Sequence, residues 1–219
     1  MKSSWESTVQ KSRYHFDRNR IDPRYDTVVG LGYIDPEAWR DDIDSVIADS
    51  QSTTWASRGY KTKDAAIPAP DLEAEHYDLV RVGADPDMII SNMTWALPTS
   101  LKAIADNFSL QNSMNRIHVQ LPGQVWNRHI DKLEKFSPNN SKDVMRIMIQ
   151  LTDWQPGQFW EFGNFNYRNW RAGDVITFDW ENVPHCTANA GHHPRVTLQL
   201  TGIATDATRR FLGLIRKWG

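Results

Sequence analysis

Apolar residues recur at helical spacing in the first half of this chain and alternate with polar ones in the second. Trp39, Ile43, Val46 and Ile47 fall at i, i+4, i+7 and i+8, one face of a helix. Asp35-Pro36-Glu37 stands just ahead of them, with Asp35 suited to cap and Pro36 to fill the first helical position. That stripe predicts a helix buried against a core. A second helix is expected from Thr99 or Ser100 to about Leu110, burying Leu101, Ile104, Ala105 and Phe108. Between them, Gln51 to about Pro70 is rich in Ser, Thr, Lys and Ala and reads as a long surface loop. Loop 51–70 and the acidic stretch Asp71 to Asp78 that follows it read as mobile surface by default, with a lid as the alternative. Residues 1 to about 34 are polar and charged and read as an irregular arm.

After Gln111 the texture changes. Short apolar alternations occupy 116–123, 124–131, 144–154, 158–162, 166–170, 174–180, 184–189 and 195–203. Pro156-Gly157 punctuates one expected hairpin and Ala172-Gly173-Asp174 another tight turn. About eight strands without intervening helical patterns predict an antiparallel barrel or two-sheet jelly roll, so the fold is mainly β with flanking helices. A terminal helix over about 206–218 carries Phe211, Leu214, Ile215 and Trp218. The expected organisation is one compact domain: an arm and helices over 1–112, a β core over 113–205 and a C-terminal segment over 206–219.

Composition removes several function classes. Twenty-five Lys and Arg against 27 Asp and Glu give a formal charge of −2, so no basic excess points to nucleic acid. One cysteine, Cys186, excludes an intramolecular disulfide framework and every multi-cysteine zinc site. It reads as a small packed residue on the strand face opposite its neighbour His185. No stretch approaches the ~18 apolar residues of a membrane span, and the N-terminal residues lack the apolar region of a secretory signal. The expectation is a soluble cytoplasmic protein with a small-molecule or peptide substrate. Ten tryptophans ask for large packed surfaces or aromatic-lined pockets.

Chemistry concentrates in His129-Ile130-Asp131, His185 and Arg195. In a strand, i and i+2 share a face, so His129 and Asp131 can address one metal ion together. His185 can add a third ligand from a distant strand folded alongside. Two imidazoles and a carboxylate on one side of a cation leave its other positions open, the facial triad of non-haem Fe(II) oxygenases. Arg195 offers a planar fork that binds a carboxylate through two N–H groups. A second tripeptide, His76-Tyr77-Asp78, follows a Pro-rich loop far from the β-rich region and is set aside. His192-His193 sits in a Gly/Pro turn and reads as a solvated pair.

QLPGQVWNRHID (120–131) resembles the segment leading to the first metal ligand in aspartyl/asparaginyl β-hydroxylase-like 2-oxoglutarate oxygenases. RAGDVITFDWENVPHCTANAGHHPRVTLQL (171–200) resembles that family's distal segment. The resemblance covers about 116–203. It implies a double-stranded β-helix (jelly roll, cupin-like), Fe(II) held by His129, Asp131 and His185, and 2-oxoglutarate anchored by Arg195. It also implies dioxygen as oxidant and hydroxylation of an unactivated C–H bond. His118 matches a position near the distal carboxylate of 2-oxoglutarate, or else hydrogen-bonds within the barrel. Arg146 matches a strand arginine pointing into the active site, or else makes a structural ion pair. Met148 departs from relatives that carry a polar contact there. Trp126, Trp160 and Trp180 line a pocket or pack the barrel. A non-catalytic β-sandwich binding module and a cupin-type metalloenzyme using another metal without co-substrate stay open as alternatives.

Overall fold

The computed structural model describes residues 28–51 and 88–215, together with three short strands between them. The strands are β1 (Val29–Tyr33), β2 (Thr53–Ala56), β3 (Gly59–Thr62), β4 (Ala66–Pro68), β5 (Ile89–Thr94), β6 (Gln111–Gln120) and β7 (Val125–His129). They continue as β8 (Val144–Gln150), β9 (Gln158–Phe162), β10 (Phe165–Tyr167), β11 (Asp174–Thr177), β12 (His185–Asn189) and β13 (Arg195–Ile203). The helices are α1 (Ile43–Ser50), α2 (Thr99–Asn107) and α3 (Asp206–Leu214).

Two antiparallel sheets form. One runs β1-β11-β8-β13-β6-β5-β2-β3-β4 and the other β10-β9-β12-β7. From β6 onward the chain passes between the sheets in the winding of a double-stranded β-helix, a jelly-roll, cupin-like fold with few helices. All eight strands expected after Gln111 are present.

The central strands of the larger sheet, β8, β13 and the second half of β6, are buried on both faces. On one, Ile117, Val119, Ile147, Ile149, Val196, Leu198 and Leu200 pack against Trp39, Val46, Leu101, Ile104 and Phe108 of the helical segments. The intervening residues Arg116, His118, Gln120, Arg146, Gln150, Arg195, Thr197 and Gln199 lie on the opposite face and are buried too. Period-two alternation therefore sorts side chains between a dry core and a polar interior.

The first helix starts where its cap predicts: Asp35 Oδ1 accepts from the Glu37 N–H at 3.0 Å, with Pro36 in the first turn. That turn and the next are 3-10, and α geometry begins at Ile43. Helix α2 matches its expected start and buries all four expected side chains. Thr205 caps α3, accepting from the Thr208 N–H at 3.1 Å. Phe211 meets Phe108 edge-on with centroids 4.9 Å apart, and Ile215 is buried. Leu214 is 82% exposed, so the expected apolar stripe is only partly used. Trp218 lies outside the described residues.

Three expectations are corrected. The end of the N-terminal arm is strand β1, because Val29–Tyr33 pairs along the open edge of β11. The expected loop 51–70 contains β2, β3 and β4, which extend the large sheet beyond β5. Pro156-Gly157 does not close a hairpin, since β8 and β9 lie in different sheets. It carries the chain across, and Gly157 (φ +91°) comes so near Gly191 that a Cβ would sit 2.5 Å from the Gly191 nitrogen. The true hairpin is β9–β10, with Phe162 paired to Phe165 across Gly163-Asn164. The tight turn at Ala172-Gly173-Asp174 is as expected, with Gly173 at φ +97° against Ile34. Among the described residues no helix is long and apolar enough to cross a membrane.

Trp39 fastens the first helical segment to the sheet: it is fully buried, and its indole N–H donates to the Leu151 carbonyl at 3.2 Å. Trp39→Ala should cost about 3–5 kcal/mol of unfolding free energy in urea titrations. A loss below about 1 kcal/mol would show that this helix does not anchor the core.

Candidate active site

His129 ends β7 and His185 opens β12, and the two residues face each other directly across the antiparallel ladder. Cross-strand pairing, not sequence proximity, brings their rings to a centroid separation of 4.3 Å. The ladder shifts register between His185 and Thr187, so the pairing loosens just beyond the ligand position. Asp131 lies past the end of β7 rather than within it. Its backbone N–H donates to the Trp180 carbonyl at 3.1 Å, which turns the chain back over the site. The strand argument for His129 and Asp131 thus reaches the right pair, although the extended ladder stops at His129.

The three side chains converge. Their ligand atoms lie within 4.8 Å of one another, and all three residues are buried. Asp131 Oδ1 is 3.8 Å from His129 Nε2, and Asp131 Oδ2 is 3.7 Å from His185 Nε2. The other ring nitrogens are committed. His129 Nδ1 donates to the Asn127 carbonyl at 2.7 Å, and His185 Nδ1 donates to the Val183 carbonyl at 3.1 Å. A carbonyl can only accept, so Nδ1 carries the proton on both rings and the Nε2 lone pairs face the common centre. Trp126 stacks on His129 at 4.3 Å, and Phe162 and Phe178 flank His185. Two fixed imidazole nitrogens and a carboxylate oxygen suit Fe(II) and comparable first-row dications.

The other site residues lie on the polar face of the large sheet. Arg195, at the start of β13, is 5% exposed. Its guanidinium sits 4.4 Å above the Trp160 ring, and Nη1 donates to the Phe159 carbonyl at 3.5 Å. Among the described residues no carboxylate reaches it. Burial pulls its pKa down to about 9, so keeping the cation costs stability at every pH below that value. Arg195, Thr197, His118, Met148, Trp126 and Trp160 line one cavity together with His185. Of the three converging residues, His185 therefore addresses the same space as the buried cation.

His118 Nδ1 is 3.0 Å from Ser91 Oγ of β5. Burial first, then the charges of Arg116, Arg146 and Arg195, hold its pKa well below the usual histidine value. It is a neutral imidazole, a hydrogen-bonding group rather than a counter-ion. Arg146 Nη1 lies 2.8 Å from Asp131 Oδ2, and the residue also lines the cavity, so the structure displays the ion pair without removing the inward-pointing reading.

Several contributors escaped sequence reasoning. Ser91 comes from a segment with no chemical signature, and Gln199, which accepts from Arg116 Nε at 2.7 Å, was hidden in an ordinary strand. The signal was present in RIHVQL and RVTLQL, where polar residues alternate with apolar ones yet include long cationic side chains. Of the tryptophans, Trp126 and Trp160 line the cavity, whereas Trp180 packs in the core with its N–H on the Val144 carbonyl at 2.8 Å. His192 and His193 are exposed in their turn. Cys186 lies half-buried beside Glu161, Sγ 3.6 Å from Oε2, and burial followed by that carboxylate pushes its thiol to about 11. His76 and Asp78 lie outside the described residues.

No protein-family model matches the sequence, and no curated protein matches it. Two solved structures share the fold across most of both chains. A Pseudomonas putida prolyl-4-hydroxylase superposes with a TM-score of 0.51 at 13% identity, covering 80% of this chain and 91% of that one. The non-heme alpha ketoglutarate dependent carbocyclase SnoK from nogalamycin biosynthesis gives 0.52 at 13% identity, covering 89% and 87%. At this identity the likeness is one of fold.

Anaerobic calorimetry should detect one equivalent of Fe(II) or Mn(II) per chain, and His129→Ala or Asp131→Ala should weaken it by about 100-fold or more. Unchanged affinity in both variants would place the metal elsewhere.

Proposed function

We propose that this protein is an Fe(II)- and 2-oxoglutarate-dependent dioxygenase that hydroxylates an unactivated C–H bond. The substrate is an amino acid, a peptide or protein side chain, or another small molecule. One observation carries the reading: a buried set of two imidazoles and a carboxylate opens, through His185, on a cavity lined by a buried arginine that has no carboxylate partner among the described residues. A pure binding module has no use for an uncompensated cation beside a metal site. A co-substrate with a chelating keto acid at one end and a carboxylate at the other uses both. The two ligand-bearing stretches support membership of the aspartyl/asparaginyl β-hydroxylase-like family within this class.

His129, Asp131 and His185 would hold the iron. When bound, Fe(II) supplies the redox chemistry by which 2-oxoglutarate and dioxygen give succinate, CO2 and one oxygen atom for the substrate. The protein supplies placement. Arg195 receives the remote carboxylate on the side away from Trp160, and the pairing returns the electrostatic stabilisation that burial removed. Thr197, whose hydroxyl donates to Gln150 Oε1 at 3.1 Å, forms the adjoining wall. Neutral His118 adds a hydrogen-bonding group without neutralising Arg195. Trp126, Trp160 and Phe178 keep bulk water from the reacting centre.

Incubation with Fe(II), 2-oxoglutarate and dioxygen across panels of amino acids and peptides should give succinate and a product one oxygen atom heavier. His129→Ala and Asp131→Ala should abolish both. A protein that binds metal but neither binds nor consumes 2-oxoglutarate would instead be a cupin-type metal protein. Arg195→Met should stabilise the ligand-free protein by on the order of 1 kcal/mol, because it removes a buried charge. The same change should weaken 2-oxoglutarate by at least about 10-fold. An unaltered co-substrate affinity would assign the carboxylate to another cation.

A further inference from the structure

We infer that Arg146 is a positioning residue that restricts Asp131 to one metal-binding oxygen and so keeps the remaining coordination positions for the co-substrate. The inference rests on the proposed metal site and goes beyond it, because nothing in the triad itself fixes how its carboxylate binds.

Each oxygen of Asp131 lies near one of the two imidazoles. Oδ1 is 3.8 Å from His129 Nε2, Oδ2 is 3.7 Å from His185 Nε2, and the carboxylate is buried. A cation seated among the three residues therefore has both oxygens within reach. A carboxylate that chelates with both takes a position the facial arrangement leaves open. Arg146 removes that symmetry. Its Nη1 lies 2.8 Å from Oδ2, and both side chains are almost wholly buried, so water screens the pair little. A dication sharing Oδ2 would stand against a guanidinium within a few ångströms, a repulsion that weakens with distance for a dication seated on Oδ1.

The strand geometry fixes this arrangement. Arg146 sits on β8 opposite Thr201 of β13, two residues along from Met148, which faces the same cavity. Asp131 is pinned by its backbone bond to Trp180, whose indole N–H is in turn tied to the Val144 carbonyl, two residues before Arg146. Carboxylate and guanidinium are thus held from one corner of the barrel. Their pairing tunes the ligand, and Arg195, which lines the same cavity, is left as the carboxylate receptor.

The test separates metal binding from co-substrate binding in Arg146→Met. Co(II) replaces iron because its visible spectrum reports coordination number without turnover. With the clamp removed, Asp131 can chelate through both oxygens. Because a like charge beside the cation is gone and a second oxygen is released, the variant should bind Co(II) about 10-fold more tightly, show a changed Co(II)-only spectrum, and need at least about 10-fold more 2-oxoglutarate to perturb it. Arg146→Gln, which keeps a donor but loses the charge, should shift the same readouts in the same direction by less, and it decides the matter if Arg146→Met does not fold. Unchanged Co(II) affinity and spectrum would overturn the clamp. If the co-substrate response alone weakened, Arg146 would be a direct 2-oxoglutarate contact. Failure of the unsubstituted protein to bind Co(II) would instead count against the metal site itself.

Discussion

The central strands of the large sheet are covered on both faces, and that constraint organises everything else. A strand with one wet face can place polar residues there at no cost. β6, β8 and β13 have no such face, so arginine, glutamine and histidine side chains that alternate with Ile, Val and Leu are enclosed. Buried polar groups must find partners, and they do so as a network: Arg116 with Gln199, His118 with Ser91, Thr197 with Gln150, Gln120 with Thr187. Arg195 has only a single long bond to a backbone carbonyl and an aromatic ring beneath it. A cation retained in that condition gives up stability that a bound anion would restore.

Legibility followed the range of the interactions. Local signals were read well: the cap at Asp35, the face of α2, the Gly173 turn and the eight core strands all depend on neighbouring residues. Strand partners were not readable, because pairing depends on which edges remain open once the barrel has closed. β1 and β2 to β4 look polar and irregular in sequence. They become strands because β11 and β5 each present an unpaired backbone edge. For the same reason Pro156-Gly157 resembled a hairpin, although the chain there moves from one sheet to the other.

The three converging side chains were legible as residue types but not as a mechanism of convergence. His129 and Asp131 share two-residue spacing, yet the contact that gathers the triad is the direct cross-strand pairing of His129 with His185, far apart in sequence. The carbonyls that orient the imidazoles belong to Asn127 and Val183, two residues before each histidine. Backbone groups carry no sequence signature, so this orienting layer was invisible until the strands were placed. The role of Arg146 was ambiguous for a related reason: a strand arginine aimed inward meets whatever the opposite sheet presents, here Asp131.

The central claim is that one cation and one dicarboxylate occupy a single cavity between these sheets. Anomalous diffraction from crystals soaked anaerobically with Mn(II) and 2-oxoglutarate tests it most directly. The account predicts one anomalous peak bonded to His129 Nε2, His185 Nε2 and Asp131, with continuous co-substrate density ending on the Arg195 guanidinium. A peak at the exposed His192-His193 turn, or density that leaves Arg195 without a carboxylate, would contradict it.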